Sequence, residues 1–306
     1  MGANAIGAAA SIEDSGQAVA PLVTIALSTQ NSAATIDAAL RSLVAQTYSN
    51  WELVLHDDGS TDNSVERARR CHDERIRIVV DGTHRGLGAR LNQTIDVARG
   101  KYYARMDADD IAYPQRLAMQ VEYLEAHPAI DLIGAQMMVF ADDGRPVGLH
   151  AVGETHERIC AKPYAGFYLP HPTWMGRIEW FRRWRYDERY RKGQDQELLR
   201  RSFRSSRFAG IAHPLVGYRQ DYISIGKSWR GRANMMQSIW ALAERERAPL
   251  RGIAGAGMQL TKGLIDTMAV ATRLERLFLR HRAQPFSTDA ARQWAEVWNA
   301  CVGEAR

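Results

Sequence analysis

The chain has 306 residues, 45% hydrophobic and 25% charged, a globular composition that fits one large domain with an appendage, or two domains. Its three cysteines, Cys71, Cys160 and Cys301, are far apart and form no CxxC pair; this argues against a disulfide framework or a cysteine-based zinc site and fits a reducing compartment. The net charge of +5 sits in the C-terminal part: residues 230–306 hold 12 Lys and Arg against 7 Asp and Glu, and residues 1–229 hold 28 of each. A basic surface of that kind suits phosphates, whether of nucleic acid, anionic lipid or a nucleotide.

Residues 1–20 are small and polar, without a basic start or a continuous apolar core, and read as a flexible leader, not a signal peptide. No window approaches ~18 uninterrupted apolar residues, so no transmembrane helix is expected. PLVTIALS (21–28) reads as a buried strand. SAATIDAALRSLVAQ (32–46) has helical spacing with Ser32 as N-cap. WELVLHD (51–57) is a strand, DNSVERARR (62–70) a helix and RIRIVVD (75–81) a strand. GLGARLNQTIDVARG (86–100) is a helix closed by Gly100, and KYYARMD (101–107) is the next strand. This alternation predicts an α/β fold: a Rossmann-like, mostly parallel sheet with helices on both faces.

Beyond residue 110 the alternation changes. A helix begins at Pro114 (114–128), a strand covers 129–140, a turn 142–148, and HPTWMGRI (171–178) is extended. GQDQELLRRSFRS (193–205) is helical and FAGIAHPLVGYRQ (208–220) forms short strands. The expected layout is a leader (1–20), a catalytic domain (21–227) with halves at about 21–112 and 113–227, and a helical C-terminal segment (228–306).

In such sheets ligands sit at the carboxyl ends of the strands. HDDGSTD (56–62) and MDADD (106–110) each follow a strand, so two acidic clusters should open onto one rim. Asp107 and Asp109 form a D-x-D whose side chains point the same way in an extended chain. A D-x-D alone is common in solvated acidic turns. Placed at a strand end beside a second acidic turn, it fits Mg²⁺ or Mn²⁺ shared with a substrate diphosphate. Asp62 or Thr61 serves as a helix cap, while Asp57 or Asp58 can accept from a nucleobase N–H.

VTIALST, DDGSTD, GLGARLN, ARMDADD, HPTWM and YDERYRKGQDQELLRR, in this order from about 22 to 225, resemble family 2 glycosyltransferases of GT-A fold. The resemblance implies transfer of a sugar from a nucleotide-sugar, UDP-sugars foremost, to an acceptor hydroxyl with inversion. It implies a nucleotide site at Ser28, Thr29, Gln30, Asp57, Asp58 and Asp107, and a metal-diphosphate motif of Asp109 with Asp107; Arg85 or His84, where the chain departs from the pattern, either meets a phosphate or is solvated surface. Asp195 is implied as general base, with His171 and Trp174 on the acceptor side. Trp174 fits a core aromatic equally well, and Asp195 also suits the first turn of a helix.

The chain departs from the family pattern at several points. Gln194 stands where Glu usually precedes the base, Gln30 replaces a common Tyr, and HRG (84–86) replaces N-x-G. Asp221, where relatives often carry His, is either a diphosphate or metal contact or a surface residue. LLRR (198–201) replaces the Q-x-x-R-W of processive polymerases, which, with the expected lack of transmembrane helices, points to single additions; the resemblance places them in cell-surface polysaccharide or glycolipid assembly.

Residues 263–282 combine an apolar stripe (Leu264, Ile265, Met268, Leu274, Leu277, Phe278) with interspersed arginines. The segment fits a peripheral contact at the inner face of the plasma membrane, near a lipid-linked saccharide acceptor, or packing on the catalytic domain or in a homodimer. Otherwise the expected location is cytoplasmic. Two alternatives remain in view. A nucleotidyltransferase would want a Gly-rich basic loop after the first strand, and STQNSAAT lacks one. A basic nucleic-acid or membrane module with a degenerate site is the other; the paired acidic clusters oppose a nucleic-acid partner.

Overall fold

The computed structural model describes residues 20–220, 225–272 and 284–303; the leader reading and Asp221 lie outside them. The first half alternates as the pattern predicts: β1 (Val23–Thr29), α1 (Ile36–Val44), β2 (Trp51–Asp57), α2 (Ser64–Arg69), β3 (Ile76–Val80), α3 (Leu87–Val97) and β4 (Tyr102–Asp107). Strands β3-β2-β1-β4 lie parallel in that order. Strand β2 is buried at every position, as a strand covered on both faces must be. Along β1 the side chains of Val23, Ile25 and Leu27 enter a core under α1 and α4 (Arg116–Ala126), and Ala26 enters one under α3, the period-2 alternation of a pleated strand.

The second half is mixed. It contains β5 (Ile111–Ala112), β6 (Leu132–Phe140), β7 (Pro146–His150), α5 (His156–Ile159), β8 (Met175–Arg177), α6 (Ile178–Arg183), α7 (Gln194–Ser202) and β9 (Phe208–Arg219). Short antiparallel β8 joins β4 to β6, and β6 then pairs with β9 in parallel and with β7 as a hairpin.

Several local expectations are corrected. Ser32 does not cap α1: its carbonyl accepts the amides of Thr35 and Ile36 (both 2.9 Å) in a preceding turn, and the helix starts at Ile36. Gly100 does not close α3, which ends at Val97. It lies where a Cβ would stand 2.5 Å from the Thr24 amide, so glycine serves backbone packing at that point. Pro114 precedes α4 by two residues, and its carbonyl accepts the Thr47 amide at 2.9 Å. His171–Thr173 form a 3₁₀ turn before β8. Within 208–220, Phe208–Arg219 form one strand, its register broken opposite Gln136 where Pro214 offers no N–H.

Helices α8 (Ile225–Arg245), α9 (Pro249–Ala271) and α10 (Thr288–Val302) follow. Helix α10 completes a third core. Trp294 is fully buried against Tyr113 and Phe140, donates from Nε1 to the Gly144 carbonyl at 2.7 Å, and fills the space beside Gly217. The apolar stripe at 263–282 is described only to Thr272, and there Leu264, Ile265 and Met268 are exposed.

Candidate active site

Strand register builds the rim. Thr29 pairs with Asp57 and Ser28 with Asp107, so three parallel strands end side by side. Asp57, 2% exposed, turns its carboxylate onto the amides of Gly59 and Ser60 and shapes the turn. Thr29 is buried, and its carbonyl accepts the Asp58 amide at 2.8 Å.

Asp58 is the focus of the β2 turn. Its carboxylate accepts the Arg85 amide at 2.7 Å, the Gly86 amide at 3.0 Å and Arg90 Nε at 2.9 Å, with His84 Nδ1 at 2.9 Å. Burial pushes its pKa up, but the two amides and the guanidinium outweigh that and hold it below the usual range. Gly86 adopts φ 91° to deliver its amide, a conformation that favours glycine. Arg85 therefore works through its backbone. Its side chain reaches Thr83 Oγ1 at 3.2 Å and Asp81 at 3.7 Å and is exposed, whereas His84 lines the larger of the two cavities described below.

Past β4, carboxylate oxygens of Asp107, Asp109 and Asp110 all lie within 4.8 Å of one another. Asp107 pairs with the buried guanidinium of Arg105. Asp109 is exposed to the cleft; desolvation in that recess and the Asp107 charge push its carboxyl up. Asp110 is 1% exposed. Its Oδ1 accepts the Arg219 amide at 3.1 Å, and its Oδ2 has no partner among the described residues. Burial, then Asp107 and Asp109, push Asp110 well up. Three converging hard oxygens, one of them buried and unpaired, suit a divalent cation of the Mg²⁺ or Mn²⁺ kind.

Two cavities flank this cluster. One, about 680 Å³, is lined by Ser28, Gln30, Asp58, His84, Asp107 and Asp109, faced by Arg191, Lys192 and Arg230. Gln30 Nε2 lies 2.8 Å from His84 Nδ1 at its wall. The other, about 490 Å³, is lined by Arg105, Asp107, Tyr168, His171, Lys192, Gln194 and Asp195 among others. Leu87, Asp107, Lys192 and Tyr218 belong to both, so the cavities adjoin. The two acidic turns thus share one rim.

Asp195 stands in the first turn of α7, behind Gly193 in the left-handed region (φ 70°). Burial raises its carboxyl, and the Gln196 amide only partly offsets this. His171 lines the same cavity, but its Nε2 is 2.8 Å from the Tyr186 hydroxyl, and burial and Arg105 hold the ring well below its ordinary pKa, so it stays neutral. Trp174 is fully buried and donates to the Leu169 carbonyl at 3.1 Å. It is a core residue beneath the cavity, the core-aromatic alternative of the two that the sequence left open.

The sequence shows three crowded carboxylates, Asp107, Asp109 and Asp110, but sequence reasoning assigned only Asp107 and Asp109 to the metal and left Asp110 without a role. That reasoning also missed the cations Arg191, Lys192 and Arg230. The first two precede the G-Q-D run directly, whereas Arg230 carries no local signal, because α8 reaches the cleft only through tertiary packing.

The chain matches the family model "Glycosyl transferase family 2" over residues 24–185. It is 36% identical over 127 residues to EpsE of Bacillus subtilis (strain 168), whose name assigns it provisionally to the glycosyltransferases; the match covers 40% of this chain and 46% of EpsE. It is 34% identical over 103 residues to the Escherichia coli UDP-Glc:alpha-D-GlcNAc-diphosphoundecaprenol beta-1,3-glucosyltransferase WfgD, covering 34% of this chain and 41% of WfgD. The chain thus spans less than half the length of these curated relatives. Among solved structures, S. aureus TarS 1-349 in complex with UDP-GlcNAc superposes with a TM-score of 0.58 at 16% identity, covering 93% of this chain and 81% of that one. The mannosyltransferase PcManGT from Pyrobaculum calidifontis, in complex with GDP-Man and Mn2+, gives 0.57 at 16% identity over 94% and 88%. The strand order, the acidic rim and a family match over more than half its length show that this chain belongs to glycosyl transferase family 2 and has the GT-A fold.

Proposed function

We propose that the protein moves a single sugar from a nucleotide-sugar to an acceptor hydroxyl with inversion, in cell-surface polysaccharide or glycolipid assembly. The observation that carries this reading is the pair of adjoining cavities, one bearing the carboxylate cluster and the other Asp195. The donor occupies the larger cavity, with its base near Gln30 and Asp58. Asp107, Asp109 and Asp110 hold the divalent cation, Mg²⁺ or Mn²⁺. When bound, that cation neutralises charge on the diphosphate.

The acceptor occupies the smaller cavity. Asp195 takes the proton of the attacking hydroxyl as the new bond to the anomeric carbon forms and the bond to the diphosphate oxygen breaks in line. Its burial-raised carboxyl is a stronger base than an exposed aspartate. Arg191, Lys192 and Arg230 face the diphosphate and oppose the surplus charge of three carboxylates. Relatives support a UDP-sugar donor and a lipid-linked acceptor, since WfgD is named for both and a TarS structure holds UDP-GlcNAc. Such an acceptor suits the inner face of the plasma membrane.

Calorimetric titration of UDP, GDP, dTDP and CDP, with Mn²⁺ and with EDTA, on wild type and Asp109→Ala tests this. Metal-dependent binding of one nucleotide, weakened at least about tenfold in the variant, is expected. Absence of binding by any nucleotide under either condition would overturn it.

A further inference from the structure

Helix α9 is amphipathic in the reverse sense. Its inward face, against α8 and the 164–165 loop, is small and polar: Gly252, Gly255, Gln259, Gly263 and Asp266 are buried. A Cβ on Gly252 would stand 2.7 Å from Ala243 Cβ, and one on Gly255 2.9 Å from the Tyr164 carbonyl. Its outward face carries the large aliphatics. Leu250 is 79% exposed, Ile253 59%, Leu260 46%, Leu264 59% and Met268 66%. These recur every three or four residues, or at the sum of two such steps, so they form one continuous stripe. Trp240 of α8, itself 44% exposed, packs over Gly252 at the N-terminal end of the helix.

The charges on this face have one sign. Arg251 and Lys262 are exposed, while the only acid of α9, Asp266, is buried with Arg232. A continuous apolar stripe edged by cations, with an indole at one end, complements an anionic lipid surface. No helix among the described residues is long and apolar enough to cross a membrane, so the contact lies in the plane of the interface. We infer that the outward face of α9 seats in the interfacial layer of an anionic bilayer. The loop under α9 runs directly into Phe167–Pro172, which line the Asp195 cavity. Docking by α9 therefore brings that cavity towards the lipid surface.

The test is co-sedimentation of the full chain with phosphatidylglycerol vesicles and with phosphatidylcholine vesicles, without nucleotide, so that it stands apart from donor binding. Wild type should bind the anionic vesicles, more weakly at high salt. The triple variant Leu250→Ser, Ile253→Ser, Leu264→Ser, all at exposed positions, should bind at least about tenfold more weakly. Arg251→Glu with Lys262→Glu should lose the preference for anionic lipid. Asp109→Ala should bind vesicles as wild type does. Failure of wild type to bind anionic vesicles at low salt, or an unaffected triple variant, would overturn the inference. So would light scattering that shows a dimer dissociated by the triple substitution when vesicle binding is absent, because a second copy would then be the occupant.

Discussion

Arg219 donates its amide to one oxygen of Asp110 at 3.1 Å, while the other oxygen has no partner among the described residues. The fold therefore positions a buried carboxylate without neutralising it. Its carboxyl sits higher in the folded chain than in the unfolded one. Stability from this group is full below the unfolded value and is lost as pH rises through the folded value. Asp110→Asn keeps an acceptor for the Arg219 amide and removes the charge. It should raise the metal-free Tm at neutral pH by roughly a few degrees, with the gain vanishing towards acidic pH. The same variant should lose metal-dependent nucleotide binding. Calorimetry across pH, with EDTA and with Mn²⁺, checks both.

Asp195→Asn should leave nucleotide affinity unchanged and lower kcat by roughly 10²–10⁴. The acid limb of the wild-type rate profile should lie above the ordinary carboxylate range, because burial raises this group. As pH falls through that raised value, Asp195 gains a proton and ceases to act as a base. The variant should show no such limb. Steady-state kinetics over pH, with the donor saturating, measures it.

The cationic wall separates donor effects from acceptor effects. Arg191→Ala and Arg230→Ala each remove a charge from the larger cavity alone and should weaken nucleotide-diphosphate binding by roughly tenfold. Neither should change the KM for acceptor. Lys192 lines both cavities, so Lys192→Ala should affect both constants. Isothermal titration and two-substrate kinetics distinguish these outcomes.

Trp174 and Tyr168 test which aromatic meets the acceptor. Trp174→Ala removes a fully buried ring and should cost about 3–5 kcal/mol of stability. Tyr168 is 53% exposed at the cavity wall. Tyr168→Ala should leave Tm within about a degree and raise the acceptor KM. Thermal denaturation beside acceptor titration reads both.

The sequence made the rim legible because its signals are local. Each acidic turn follows a buried strand without interruption, and β1, β2 and β4 end within a residue of the apolar runs that predict them. Caps were less legible. Ser32 carries cap chemistry, but its carbonyl is used in a turn, and Gly100 answers to a close approach from β1 that no local pattern reveals. The roles of Arg85 and Trp174 depended on which atoms point where. The cleft-facing position of Arg230 depended on how α8 packs, far along the chain from the rim.

The pairing of Ser28 with Asp107 and of Thr29 with Asp57 has a consequence for variation among descendants of this chain. The spacing of those side chains is set by the distance between hydrogen-bonded strands, about 4.8 Å, and not by the loops that follow. Insertions and deletions at 30–35 and 61–63, outside the amides of Gly59, Ser60, Arg85 and Gly86 that hold Asp57 and Asp58, can reshape the chamber while the strand-borne Asp57 and Asp107 stay in place. One residue added inside β1 or β4 would turn every following side chain to the opposite face of the sheet. The site should therefore diverge through changes in loop length and keep its strand lengths fixed.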